Sequence, residues 1–178
     1  MAVLLCTAAP EAADNFTDRR ITAGAKIFRA LLAADVDITQ KTGKGGDLKL
    51  CLLYIDDARN AEIAEETLLN RDDTRIRKMN ASVEVLPYAD CVGEKTERFA
   101  GVFLTESLSD KKLQLLIEYA NKQNMVVFSP FEGDVERGVQ SGIAVEARVR
   151  PYLNTKALQA ADVRLKSFFM RVAKQYEK

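Results

Sequence analysis

Apolar positions recur along this chain at several spacings, and each spacing predicts an element. Ile21, Phe28, Leu31 and Leu32 fall at helical intervals within "TDRRITAGAKIFRALLAAD", which predicts a helix with Thr17 or Asp18 as its N-cap. "LKLCLLYI" is then a continuous apolar run of strand length, the pattern of a strand covered on both faces. A helix is predicted from near Asp57 to Leu69, turning Ala61, Ala64 and Leu68 inward. "ASVEVLP", closed by Pro87, and "FAGVFLTE" read as two further strands. "SDKKLQLLIEYANKQN" is amphipathic, with Leu113, Leu116, Ile117 and Ala120 on one face, Ser109 at its start and Asn124 at its end. "MVVFS" is the next strand, and this alternation of strands and helices is an α/β signature.

The last third changes period. "GIAVEARVR" alternates, with Ile143, Val145, Ala147 and Val149 on one face and Glu146, Arg148 and Arg150 on the other. That predicts one half-buried strand, near a sheet edge because Pro151 follows. A short helix is expected over residues 155–161. A final helix is expected in "LKSFFMRVAKQYE", with Leu165, Phe168, Phe169, Val172 and Tyr176 on its inner face. No repeat or linker interrupts the pattern, so residues 14–178 read as one domain. Residues 1–13 read as a tail: the short run Ala2–Leu5 and the small residues after it look like the end of an export signal without its basic start.

Composition narrows the function classes. The chain has 178 residues, with 26 Lys and Arg against 26 Asp and Glu, so no basic excess points to nucleic acid or a lipid surface. No apolar run reaches the roughly 18 residues that membrane insertion requires. Histidine is absent, which excludes His-based triads and His metal sites.

Candidate chemistry concentrates at strand ends. In "KTGKGGDLKL" the glycines precede the strand, whereas a phosphate cradle needs a strand leading into the loop and a helix leaving it, so this is a turn. Asp56 and Asp57 follow the first core strand, where open α/β sheets bind ligands, although Asp57 also suits a helix N-cap. A phospho-receiver would need an acceptor aspartate and a lysine at the next strand ends, but those strands end in Thr105 and Glu106 and in Ser129 and Pro130. Asp56, Asp57, Thr105, Glu106 and Ser129 therefore form the site of one reading, a small-ligand-binding module resembling one lobe of a periplasmic solute-binding protein. The serines have no histidine base. The acidic run Glu132, Asp134 and Glu136 lacks calcium-loop spacing. No metal or cofactor is expected. Cys51 and Cys91 are either two separate buried thiols or a disulfide, which would stabilise the fold by about 2–4 kcal/mol in an oxidising compartment.

In the C-terminal half, Gly142 opens the alternating strand, "YLN" ends in Asn154, Ala157, Ala160 and Ala161 lie in the short helix, and "SFFMRVA" follows with Phe168 and Phe169. With these residues the chain resembles the YfiR-like (YfiR/HmsC) family of bacterial envelope proteins. Upstream, "AGAKIFRALLAAD" and "LKLCLLYI" stand where the family has its first helix and first core strand, so the likeness spans residues 17–176. The chain departs from the family in having "DVDITQK" where an aromatic-proline motif often ends the first helix, one glycine before the alternating strand, and one plausible cysteine pair. The resemblance implies a compact, Rossmann-like three-layer α/β domain with a mostly parallel sheet and a C-terminal strand–helix–helix segment. It further implies a non-enzymatic periplasmic regulator that binds the sensor domain of an inner-membrane diguanylate cyclase and holds it inactive, lowering cyclic-di-GMP signalling and biofilm formation. A second copy of the chain is the other partner to consider. Phe168, Phe169 and Met170 are consecutive, so with both phenylalanines inward Met170 is the expected outward contact. Glu146, Arg148 and Arg150 are the second expected partner surface.

Overall fold

The structure, a computed structural model, describes residues 10–43, 45–69, 74–93 and 98–177. The apolar run at its centre forms β1 (Leu48–Tyr54), and its alternation explains why the run is continuous. Leu48, Leu50 and Leu52 point into one hydrophobic cluster while Cys51 and Leu53 point into another on the opposite face. The same division runs through β4 (Gly101–Leu104) and β5 (Val126–Ser129): Phe103, Val126 and Phe128 face the first cluster, and Val102, Leu104 and Val127 face the second. Strands buried on both sides need helices on both sides.

On the first face lie α1 (Pro10–Ala34) and α2 (Arg59–Leu68). Ile21, Phe28, Leu31 and Leu32 are buried as their spacing predicts, and so are Ala61, Ala64 and Leu68. Phe28 meets Phe103 and Phe128 with ring centroids 5.7 and 5.6 Å apart, and Gly101 makes room for it: a Cβ there would lie 2.9 Å from the Phe28 ring. On the second face lie α3 (Tyr88–Cys91) and α4 (Asp110–Gln123), whose Leu113, Leu116, Ile117 and Ala120 are buried. Asn124 closes α4 in the left-handed conformation at φ 53°. A disulfide joins Cys51 of β1 to Cys91 of α3.

The sheet has eight strands in the order β2-β3-β1-β4-β5-β6-β7-β8, where β2 is Arg75–Ile76, β3 Met79–Pro87, β6 Ser141–Val145, β7 Val149–Asn154 and β8 Lys174–Tyr176. β3, β1, β4, β5 and β6 run parallel, β2 and β7 are antiparallel to their neighbours β3 and β6, and β8 runs parallel to β7. This is the mixed α/β, mostly parallel architecture expected. At Gly142 an added Cβ would meet the Ser129 carbonyl oxygen at 2.6 Å, so the β5–β6 junction requires glycine. Beneath the sheet's amino end the buried pair Lys41–Asp35 is bonded at 2.6 Å.

Several expectations are corrected. Of the stretch 1–13 read as an export-signal end or tail, residues 1–9 lie outside the described residues, and positions 10–13 stand in α1 instead of in an irregular tail. Thr17 and Asp18 are consequently interior to α1; Pro10 suits a first helical turn, where its missing N–H is no loss. The N-cap position of α2 is Ala58, not Asp57, although the Asp57 Oδ1 still accepts the Arg59 N–H at 2.9 Å.

"GIAVEARVR" is not one strand but a hairpin: β6 and β7 are joined by Glu146–Arg148, and Val145 pairs with Val149. The connection has an odd number of residues, so residues 143, 145, 149 and 151 stay on one face and the period-two pattern runs through the turn unbroken. The Glu146 N–H donates to the Arg148 carbonyl, and Arg150 reaches back to Glu146 at 2.8 Å.

The final helix is also shorter than expected. The helix α5 (Thr155–Ala160) forms as anticipated, with the Asn154 side chain accepting from the Ala157 N–H, but α6 spans only Ser167–Val172. Ala173 turns extended, and β8 adds to the sheet with Tyr176 edge-on to Tyr152. A six-residue helix buries one narrow face. Phe169 fills it, Met170 packs partly against the core, and Phe168 and Val172, four apart, are 51% and 56% exposed. Met170, expected to point outward, is thus partly packed, and Phe168, expected to point inward, is the exposed side chain.

Candidate functional site

β1 is flanked by β3 on one side and β4 on the other, so the chain's crossovers leave it in opposite directions. The carboxyl ends of β1 and β4 thus bound the topological switch point, where open α/β sheets bind ligands. Asp56, Asp57, Thr105 and Glu106 are brought together there. Thr105 is fully buried, its hydroxyl donating to the Leu53 carbonyl at 2.9 Å, and the Asn60 amide donates to the Thr105 carbonyl at 3.0 Å.

Glu106 does something the sequence reading missed. One carboxylate oxygen, Oε2, accepts the N–H groups of Ile55, of Asp56 at 2.9 Å and of Asp57 at 3.5 Å. Three backbone donors that would suit a ligand's anionic group are occupied by the chain's own side chain. Asp56 and Asp57 point outward and are exposed. No sequence motif signals this arrangement, since it depends on β4 ending beside the β1–α2 connection.

Ser129, one strand further, does not join this group. It is buried, and its Oγ donates to Asp134 at 2.6 Å and accepts the Phe131 N–H at 3.1 Å. Asp134, also buried, is paired with Arg137 at 2.7 Å, and Arg137 in turn reaches Asp110 at 2.6 Å. This network fixes the β5–β6 connection. Among the described residues, no group of three or more acidic or Cys side chains could hold a metal ion.

A second concavity lies beside the hairpin. A groove of about 340 Å³ runs between the first turns of α1, the β5–β6 connection and the β6–β7 hairpin. Phe16, Phe131 and Tyr152 wall it, and Val145 stands on its rim, 57% exposed. Burial and the neighbouring Glu136 carboxylate push the Tyr152 hydroxyl up to about 12. Of the residues expected to meet a partner, Glu146 lies in this groove. The Lys174 ammonium, 3.1 Å away, and Arg150 hold its carboxyl below the usual range. Arg148 is exposed in the hairpin connection, while Arg150 is half-buried and turned to Glu146. These residues form a hairpin tip, not the flat strand face expected. Among the described residues no helix is long and apolar enough to cross a membrane.

No family model and no curated protein matches the sequence. Solved structures do resemble the fold. An ABC domain from Streptococcus pneumonia, crystallised in complex with L-Trp, superposes with a TM-score of 0.57 at 9% identity, over 88% of this chain and 60% of that one. A conserved domain protein from Vibrio cholerae O1 biovar El Tor gives a TM-score of 0.50 at 12% identity, over 80% of this chain and 57% of that one. The chain thus spans about 60% of the length of these neighbours, and the likeness is one of α/β fold.

Proposed function

We propose that this chain is a non-enzymatic binding protein whose target is another protein, and specifically a periplasmic repressor of the sensor domain of an inner-membrane diguanylate cyclase. One observation carries the choice of a protein target. The switch-point donors are taken by Glu106, whereas exposed apolar side chains gather at the hairpin, where Val145 pairs with Val149, and at α6. A surface that withholds its crevice and offers apolar rims suits a macromolecular partner better than a metabolite. The choice of partner rests on the resemblance of the C-terminal half to the YfiR-like family. Repression would follow from population shift: a protein that binds the inactive sensor more tightly stabilises that state, and loss of the complex releases the enzyme.

The test is capture. The full chain, immobilised, is exposed to a detergent extract of its host's envelope, and retained proteins are identified by mass spectrometry. Recovery of a membrane protein with a diguanylate cyclase domain is the expected result. Failure to retain one, from an envelope in which such cyclases are detected, overturns the reading.

A second reading has its own support. The Streptococcus domain of similar fold was crystallised with L-Trp, and the groove beside the hairpin is of a size for a small molecule. A small-ligand-binding module would gain thermal stability at saturating metabolite, by RT ln(1 + [L]/Kd).

A further inference from the structure

We propose that the groove between α1 and the β6–β7 hairpin docks a segment of a partner protein that presents a lysine or arginine side chain between apolar neighbours. The inference rests on the protein-target reading above and adds the surface used and the chemistry it recognises.

The groove has both requirements of such a site. Its walls are aromatic, and its rim carries an exposed valine, so an apolar side chain entering it leaves water. Its charges are unequally committed. The two cations of the lining are engaged within the chain. Arg20 donates to the Pro130 carbonyl and lies 5.9 Å from the Phe16 ring centroid, while Lys174 pairs with Glu146 and lies 5.2 Å from the Tyr152 centroid. Both demonstrate that these rings accept a cation. Glu132 and Glu136 are exposed, and among the described residues neither meets a cation; Glu136 faces the Tyr152 hydroxyl. An incoming ammonium or guanidinium therefore finds two carboxylates that lack a cation partner, Glu136 holding only the neutral Tyr152 hydroxyl, beside aromatic faces. Among the described residues, an incoming carboxylate finds only Arg20 without a carboxylate partner, since Lys174 is already paired with Glu146, and it meets three carboxylates in the same lining. Charge complementarity selects a basic segment over an acidic one.

The test uses two peptides, N-acetyl-Leu-Lys-Leu-amide and N-acetyl-Leu-Glu-Leu-amide, titrated into the 15N-labelled full chain. The lysine peptide is expected to move the amides of Gly133, Ala144 and Val145, and the glutamate peptide to leave them in place. The double variant Glu132→Gln, Glu136→Gln keeps an acceptor for Tyr152 and is expected to bind the lysine peptide at least about tenfold more weakly. Equal response to both peptides, shifts confined to another surface, or no shift up to about 5 mM peptide overturns the proposal. Capture by the double variant separates the two readings. A cyclase retained as well as by the wild type uses another face, which defeats this inference and leaves the repressor reading standing. Selective binding of the lysine peptide by a chain that captures no cyclase does the reverse.

Discussion

Replacing Glu106 by alanine removes the acceptor for three backbone donors at once. The cost follows from how each donor is left. Charge-assisted hydrogen bonds contribute about 1.5–3 kcal/mol apiece, but a donor that can turn to water recovers most of that. The Asp56 and Asp57 N–H groups are at an exposed loop, and the Asp57 contact is long at 3.5 Å. The Ile55 N–H is partly buried and cannot be rehydrated so readily. One bond lost nearly in full and one lost in part give about 2–3 kcal/mol. Glu106→Gln keeps a neutral acceptor and should lose roughly half as much. Urea unfolding with the disulfide intact measures both: at an m-value of about 2–3 kcal/mol/M the alanine variant's midpoint should fall by about 1 M, with m unchanged. A loss below about 0.5 kcal/mol for Glu106→Ala would mean that the switch-point loop holds itself. The account of Glu106 as the group that fills the crevice would then be wrong.

Other outcomes follow from buried groups. Lys41→Met leaves the Asp35 carboxylate buried without its cation and should destabilise by about 3–5 kcal/mol in denaturant unfolding, with Lys41→Met, Asp35→Leu recovering much of the loss. Gly142→Ala drives a Cβ against the Ser129 carbonyl, which β-pairing holds in place; a cost of about 1–3 kcal/mol and a clear fall in Tm are expected. Tyr152 ionises later folded than unfolded, so its contribution to stability is complete below about pH 10 and lost as the pH rises through about 12. Phenolate absorbance should accordingly show a late-titrating tyrosine that disappears in Tyr152→Phe.

How much of this was legible in the sequence depended on whether a pattern was local. β1, α2 and α4 were readable because each buries its own periodic face, and those faces are the ones that pack. The β2–β3 turn was not read: its Arg77 and Lys78 adopt positive φ of 49° and 70°, which neither residue type advertises. The helix–strand break at Ala173 was missed because α6 stops to let Lys174–Tyr176 pair with β7, a gain from a distant strand. The strand-end residues were placed together correctly in part, but their commitments were invisible. Glu106 looks like an available carboxylate in the sequence and has one oxygen committed to three backbone N–H groups in the fold, and Ser129 serves the network of Asp134 and Arg137.

The register at the hairpin, rather than the length of its tip, constrains how this gene can change. Hairpin connections of about two to five residues, odd or even, can join the same paired strands, so residues added or lost among 146–148 are taken up by the tip. A slip of β7 by one place against β6 is another matter: it would send Leu153 out of the core and Arg150 towards it. Among descendants that keep this fold, the tip should therefore drift in length and residue type while Val145 stays opposite Val149. A reporter peptide grafted into the tip should be tolerated for the same reason.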